Sequence, residues 1–238
     1  MSTGQLALAF LAMGLGALVQ GTVGFGQSLV AAPLLLLIDT RLVPGPLTVA
    51  GVCLSLVMLT RDRGHADRGG LRWSVAGLVP GTVLGGAALA VLSGHWLAVT
   101  AGALILLAVA LSAVGLAASP TPRTLTSAGA VAGFMGTVSG VGGPPMALLY
   151  QRAGGPRLRA TLARFFSVSS LLTLVALVPA GRLGRTELGV GLVLAPAVLC
   201  GWVVSRRLVG RVDRLLLRPA VLALSAVSAV ALLVRELT

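Results

Sequence analysis

Nearly all the residues whose types and spacing could do chemistry lie in two short stretches. Gly21-Thr22-Val23-Gly24-Phe25-Gly26-Gln27-Ser28 and Gly136-Thr137-Val138-Ser139-Gly140-Val141-Gly142-Gly143-Pro144 are glycine-rich interruptions inside otherwise apolar runs. A helix that restarts after such a break presents unpaired first-turn N–H groups and the positive end of its dipole, and both attract an anion. Glycine lets the backbone reach a ligand with no Cβ in the way. The candidate binding residues are therefore Thr22, Gly24, Gly26, Gln27 and Ser28 in the first stretch and Thr137, Ser139, Gly140, Gly142 and Gly143 in the second. The backbone near Gly26 to Ser28 and near Gly142 and Gly143 supplies the main donors; Thr22, Gln27, Ser28, Thr137 and Ser139 add side-chain donors. The plainer alternative is that these glycines only allow a tight helix crossing.

Other chemistry finds little support. Asp39, Asp62, Asp67, Glu187, Asp213, Glu236, His65 and His95 all fall at the ends of apolar runs or in loops, so no proton carrier is expected at membrane depth. Cys53 and Cys200 sit inside apolar runs, where a free thiol behaves as a small hydrophobe. There is no HExxH, P-loop or CxxC, no paired carboxylates and no Ser/His constellation; neither enzymatic activity nor a metal or cofactor is expected. Arg164, just inside its run, either draws anions inward or snorkels to headgroups.

The elements that must position these stretches follow from composition. Hydrophobic residues make up 56% of 238 residues and charged residues 10%, and the mean hydropathy is +1.00. Only a bilayer solvates such a chain. The apolar runs cover roughly residues 5–38, 42–60, 73–93, 97–118, 124–150, 162–180, 188–205 and 215–234. Most approach the ~20 residues that cross a membrane as helix, and none alternates as a barrel strand does. The net charge of +12 is carried by arginines in short loops, where it sets topology; nucleic acid is not expected as a partner. Lys and Asn are absent, which fits a GC-rich bacterial genome and hence the plasma membrane of a bacterium. No basic segment precedes the first apolar run, so no cleaved signal peptide is expected.

The chain also repeats itself. Gly14, Gly21, Thr22 and Val23 match Gly129, Gly136, Thr137 and Val138 at an offset of 115. After Ser139 the offset becomes 116, pairing Gly24 with Gly140, Gly26 with Gly142, Arg41 with Arg157, Pro80 with Pro196, Gly85 with Gly201 and Gly94 with Gly210. The expected organisation is two membrane repeats, residues 1–118 and 119–238. With four spans per repeat, the arginines divide eight against ten and give no orientation. If residues 5–38 and 124–150 are instead re-entrant hairpins, each repeat has three spans and the arginines divide fourteen against four, with Arg41, Arg182, Arg185 and Arg235 the minority. The second division favours an all-α polytopic membrane protein of two inverted repeats, each a re-entrant or broken segment plus three transmembrane helices, with both termini outside. Long tilted or kinked helices remain the alternative. The first returning arm, Ser28 to Ile38, would be 11 residues or ~16 Å long. The second would run from Pro144-Pro145 to Gly154-Gly155-Pro156, and Gly77, Gly81 and Gly85 would form a close-packing face.

At these motifs the chain resembles the sulfite exporter TauE/SafE family. The likeness rests on Gly21 to Gly26 followed by Pro33-Leu34-Leu35, on Gly136 to Pro144, and on Pro80 to Gly85 with Pro196 to Gly201. Ser28 departs from the glycine common there. The resemblance implies transport, with export the expected direction, of small organosulfur or related anions such as sulfite, sulfonates or sulfoacetate. A non-transporting assembly or sensor subunit is the runner-up and a membrane-embedded enzyme a distant third. Lipid and a small anion are the expected partners, and no oligomeric state is implied.

Overall fold

The computed structural model describes residues 2–61, 65–92, 94–114, 118–153, 155–208 and 214–237. Asp62, Arg63, Gly154, Gly210, Arg211 and Asp213 lie outside these. The described residues are helical throughout, with no strand: α1 (Thr3–Val23), α2 (Gln27–Ile38), a 3-10 turn (Thr40–Leu42), α3 (Gly45–Met58), α4 (Arg68–Val91), α5 (Gly94–Val114), α6 (Pro122–Ser139), α7 (Gly143–Tyr150), α8 (Gly155–Leu177), α9 (Arg185–Leu208) and α10 (Arg214–Leu237). Seven helical segments are long and apolar enough to cross a membrane: α1, residues 40–58, α4, α5, α8, α9 and the part of α10 from Pro219 onward. The chain is a multi-pass membrane protein.

The two halves start alike. A capping box opens α1, Ser2 accepting from the Gln5 N–H and Gln5 from the Ser2 N–H; Thr121 and Thr124 do the same at α6. Both helices stop on a left-handed glycine, Gly24 (φ 109°) and Gly140 (φ 75°). These sit at matched repeat positions, and each returns its N–H to the carbonyl four residues back, Gln20 at 2.7 Å and Gly136 at 3.0 Å. A short helix follows in each case, then three long ones.

The sequence places helix starts too late wherever a helix begins in polar residues. α8 opens at Gly155, seven residues before its apolar run, and so contains Arg157 and Arg159, which the arginine count treats as loop residues. α4 likewise opens at Arg68. Hydropathy marks where lipid begins rather than where hydrogen bonding does, and an N-cap such as Asp67 starts a helix in water. α7 ends at Tyr150, short of the expected Gly154-Gly155-Pro156 stop, and has only 8 residues. α1 has 21 residues, about 31 Å, so the first arm of the first hairpin is itself of membrane-crossing length.

Packing exchanges the halves. α1 lies against α9 and α6 against α4; α2 lies against α10 and α7 against α5; α3 and α8 face one another. The α4–α6 contact is the tightest: Cβ atoms built at Gly77, Gly81 and Gly129 would overlap the carbonyls of Thr126, Ala130 and Ser74. Positions advance together along both helices, Gly77 at Thr126 and Gly85 at Phe134 and Thr137, so the two run parallel. α1 and α9 are parallel by the same test, Gly14 lying at Ala197 and Gly21 at Trp202 and Ser205. α3 also runs with α9, Gly45 lying at Glu187 and Gly191 at Val49. The packing role expected of Gly77, Gly81 and Gly85 holds. A side chain at Gly81 has nowhere to go, since the obstacle is backbone. Gly81→Leu is expected to destabilise the detergent-solubilised protein by about 1–3 kcal/mol or to prevent folding, whereas Gly189→Leu, where a Cβ meets nothing within 4 Å, leaves the thermal midpoint unchanged.

Candidate functional site

The first break is built by Gln20 as much as by its glycines. Gly26 (φ 115°) occupies the N-cap of α2 and has no side chain to offer the first turn. Gln20 Oε1 supplies the cap, accepting the Gln27 N–H at 3.1 Å across the fold-back. Gln27 is 2% exposed and its amide Nε2 has no hydrogen-bond partner among the described residues. A buried amide donor without a partner costs ~1–3 kcal/mol.

The second break differs. Ser139 Oγ donates to the Met135 carbonyl at 2.8 Å and accepts the Val141 N–H at 3.3 Å. Gly142, the N-cap of α7, has an ordinary φ of −100°. The helix then begins Gly143-Pro144-Pro145, so two of its first three positions carry no N–H. This end offers an anion less than the first does.

The breaks meet. Phe25 of the first lies 3.7 Å from a Cβ built at Gly143 of the second, and Phe166 lies 3.4 Å from it. Beside them is a cavity of about 80 Å³. A buried water needs ~10–15 Å³ on this measure, so there is room for several waters or one small oxyanion. Gly26, Gln27, Ser28, Gly140, Gly142 and Gly143 line it, six of the ten candidates. The other four do not. The Thr22 hydroxyl bonds to the Leu18 and Val19 carbonyls, Gly24 packs against the stem of Arg159, Thr137 is buried against Gly85, and Ser139 is committed to its own turn.

Sequence reasoning missed Gln20, Thr48, Gly51, Ser169, Ser170 and Thr173, which complete the polar part of the lining. Their signal was present: Gln20 and Thr48 are isolated hydrophilic residues in apolar runs and Ser169, Ser170 and Thr173 a hydroxyl cluster in another, where polar groups are expensive and so have a reason to be there. Thr48 and Ser170 donate to the Pro44 and Phe166 carbonyls at 2.7 and 2.6 Å and keep only acceptor capacity. The Ser169 hydroxyl makes no hydrogen bond to a described residue. Ser169 Oγ is thus a free donor in the lining, Gln27 Nε2 lies buried without a described partner, and no charged side chain is among the described lining residues.

A carboxylate fastens one end of the assembly. Asp67 caps α4 by accepting the Gly70 N–H at 2.9 Å. It also accepts the Tyr150 hydroxyl at 3.2 Å from the end of α7 and Arg157 at 3.4 Å from the start of α8. The Gly70 bond first, then Tyr150 and Arg157, hold the Asp67 carboxyl below its usual 3.8 against the opposing effect of burial.

A bundle of membrane-length helices around a small, polar, uncharged cavity between two interrupted helices is the build of a secondary transporter. This chain belongs to the sulfite exporter TauE/SafE family, whose sequence model matches residues 8–232; the family comprises membrane transporters of sulfur anions. Comparison with curated proteins and with solved structures finds no match.

The Asp67 link has a defined pH signature. A depressed carboxylate contributes stability that is complete above its unfolded pKa and is lost as pH falls through the folded one. Asp67→Asn is therefore expected to lower the thermal midpoint at pH 7, with the gap to the parent protein closing below pH ~4 as the native carboxyl protonates.

Proposed function

We propose that the protein exports a small sulfur oxyanion or organosulfonate, bound in the cavity between the two breaks. The observation that carries this is a polar lining in which no described residue is charged, with the Ser169 hydroxyl and the buried Gln27 amide Nε2 both lacking partners among the described residues. An anion there is held by dipoles alone: the first-turn backbone of α2, the Ser169 hydroxyl and, once its side chain turns toward the anion, the Gln27 amide. Such a site binds without the cost of separating a full ion pair, and binding weak enough to reverse is what a carrier needs. The cavity's size favours sulfite over longer sulfonates such as sulfoacetate.

In this reading the two repeats, 1–118 and 119–238, are inverted and rock about the shared cavity. The parallel pairs support it. α1, α3 and α9 share one direction, the chain must reverse from α3 to α4, and α6 follows α4, so α6 opposes its counterpart α1. The fold-back of α2 onto α1, with the Gln27 backbone at Gly16, supports a returning second arm in the first hairpin, whose first arm, α1, is itself of membrane-crossing length. Arg41, Arg182 and Arg235 gather with both termini at one end, which the arginine rule assigns to the outside.

No carboxylate or imidazole is among the described residues that line the cavity, which favours the membrane potential as the driving force, worth ~2.3 kcal/mol per charge per 100 mV for an anion leaving a cell negative inside. The test is efflux of radiolabelled sulfite from proteoliposomes with the potential clamped by potassium and valinomycin. Efflux should follow the potential, and Gln27→Ala or Ser169→Ala should each slow it roughly tenfold, the loss of one hydrogen bond to a charged group. Efflux that follows a pH gradient and ignores the potential overturns the driving force. Unaltered efflux in both variants removes the cavity from the path, and no movement of any sulfur anion returns the chain to an assembly or sensing role. Gly26→Leu and Gly142→Leu are poorer probes. Gly26 requires a left-handed backbone and a Cβ at Gly142 stands 2.5 Å from the Ala132 carbonyl, so both test folding as much as binding.

A further inference from the structure

A second cavity, about 140 Å³, opens at the end of the molecule where Arg41, Arg182 and Glu187 lie. It is separated from the central one by a thin apolar partition. Val43 and Val138 line the outer cavity, Leu47 and Gly140 the central one, and Leu47 and Val43 both press on Gly140, the nearer being Leu47 at 2.6 Å from a Cβ built there.

The repeat register explains what is unusual about the outer cavity. Arg41 and Arg157 occupy the same repeat position, one at each end of the molecule. Arg157 is neutralised by Asp67. The counterpart of Asp67 in the other half, 116 residues on, is Leu183, so the carboxylate is missing where Arg41 would need it. Arg41 forms no ion pair with a described residue. Arg182 spends one nitrogen on the Leu92 carbonyl at 3.0 Å and keeps its charge. The carboxylates nearby are engaged with backbone: Asp39 accepts the Arg41 N–H, and Glu187 the Gly184 N–H. Further out, Glu236 pairs with His95 and Arg235.

We infer that this cavity is a second anion site, an outer vestibule in which Arg41 and Arg182 receive the same small oxyanion once the Val43–Leu47 partition opens. The inference rests on the transport reading for the identity of the anion, and on the unmatched Arg41 for the site itself. A cationic mouth outside a neutral central site draws the anion across the partition and lets water and salt screen it away afterwards.

The experiment compares right-side-out and everted membrane vesicles taking up radiolabelled sulfite. Arg41→Gln and Arg182→Gln should each raise the half-saturation concentration about tenfold when sulfite is presented to the arginine-poor face, and leave the opposite face within about twofold. Glu187→Gln keeps the acceptor for the Gly184 N–H while deleting a repelling charge, so it should lower that constant by ~3-fold, a gain that misfolding does not produce. Equal changes at both faces, or none in any variant, overturn the vestibule. If the parent vesicles carry no sulfite, the transport reading falls by itself. Equilibrium dialysis of the detergent-solubilised protein against labelled sulfite then decides the vestibule: binding lost in Arg41→Gln upholds it, and binding absent from the parent or unchanged in Arg41→Gln overturns it.

Discussion

Two backbone hydrogen bonds, Gly24 N–H to the Gln20 carbonyl and Gly140 N–H to the Gly136 carbonyl, let this protein stop a helix inside itself. Hydrocarbon forbids an open helix end, because every freed N–H and C=O needs a partner and lipid provides none. A left-handed glycine closes the end with its own amide, and the chain can turn back within a few residues. The short helices α2 and α7, the meeting of Phe25 with Gly143, and the cavity beside them all follow from those two stops.

The stops also explain the cavity's chemistry. Turning the chain inside protein leaves a residue of polar groups that the turn itself cannot absorb. At the first break Gln20 absorbs one of them, the Gln27 N–H, and the Gln27 amide is left over. At the second, Ser139 and the paired prolines absorb or delete nearly all. The two breaks thus differ: the first leaves an unpartnered amide over, and the second leaves almost nothing. No charged side chain lines the cavity among the described residues, yet charge comes close to the first break, where Arg61 donates to the Gly21 carbonyl at 2.9 Å and the buried Arg159 packs on Gly24.

Much of this was legible in the sequence, for reasons that mark the limits. Glycine and proline have few alternative uses in an apolar run, so Gly21 to Gly26, Gly136 to Pro144 and the Gly77, Gly81, Gly85 face announced themselves. The family and the helical, membrane-embedded class followed. Helix starts were misplaced at Arg68 and Gly155 because polarity, not helicity, ends an apolar run. Most of the polar lining was missed because Thr48, Ser169, Ser170 and Thr173 come from α3 and α8, far from either motif, and only folding brings them opposite it. Thr22 and Thr137 were attractive as donors, yet a hydroxyl within a helix readily bonds backward to its own turn, as Thr22 does.

The exchange of partners between halves has a consequence for biogenesis. The Gly14 to Gly21 face of α1 is completed only by Ala197 to Ser205 of α9, and the glycine face of α4 only by α6. When the ribosome has delivered the first half, that half contains two grooves cut to backbone depth and nothing to fill them. Lipid chains must occupy both until the later helices arrive and displace them. Assembly of this fold therefore includes an act of lipid expulsion, completed for the α1 groove when α9, made much later, closes on it.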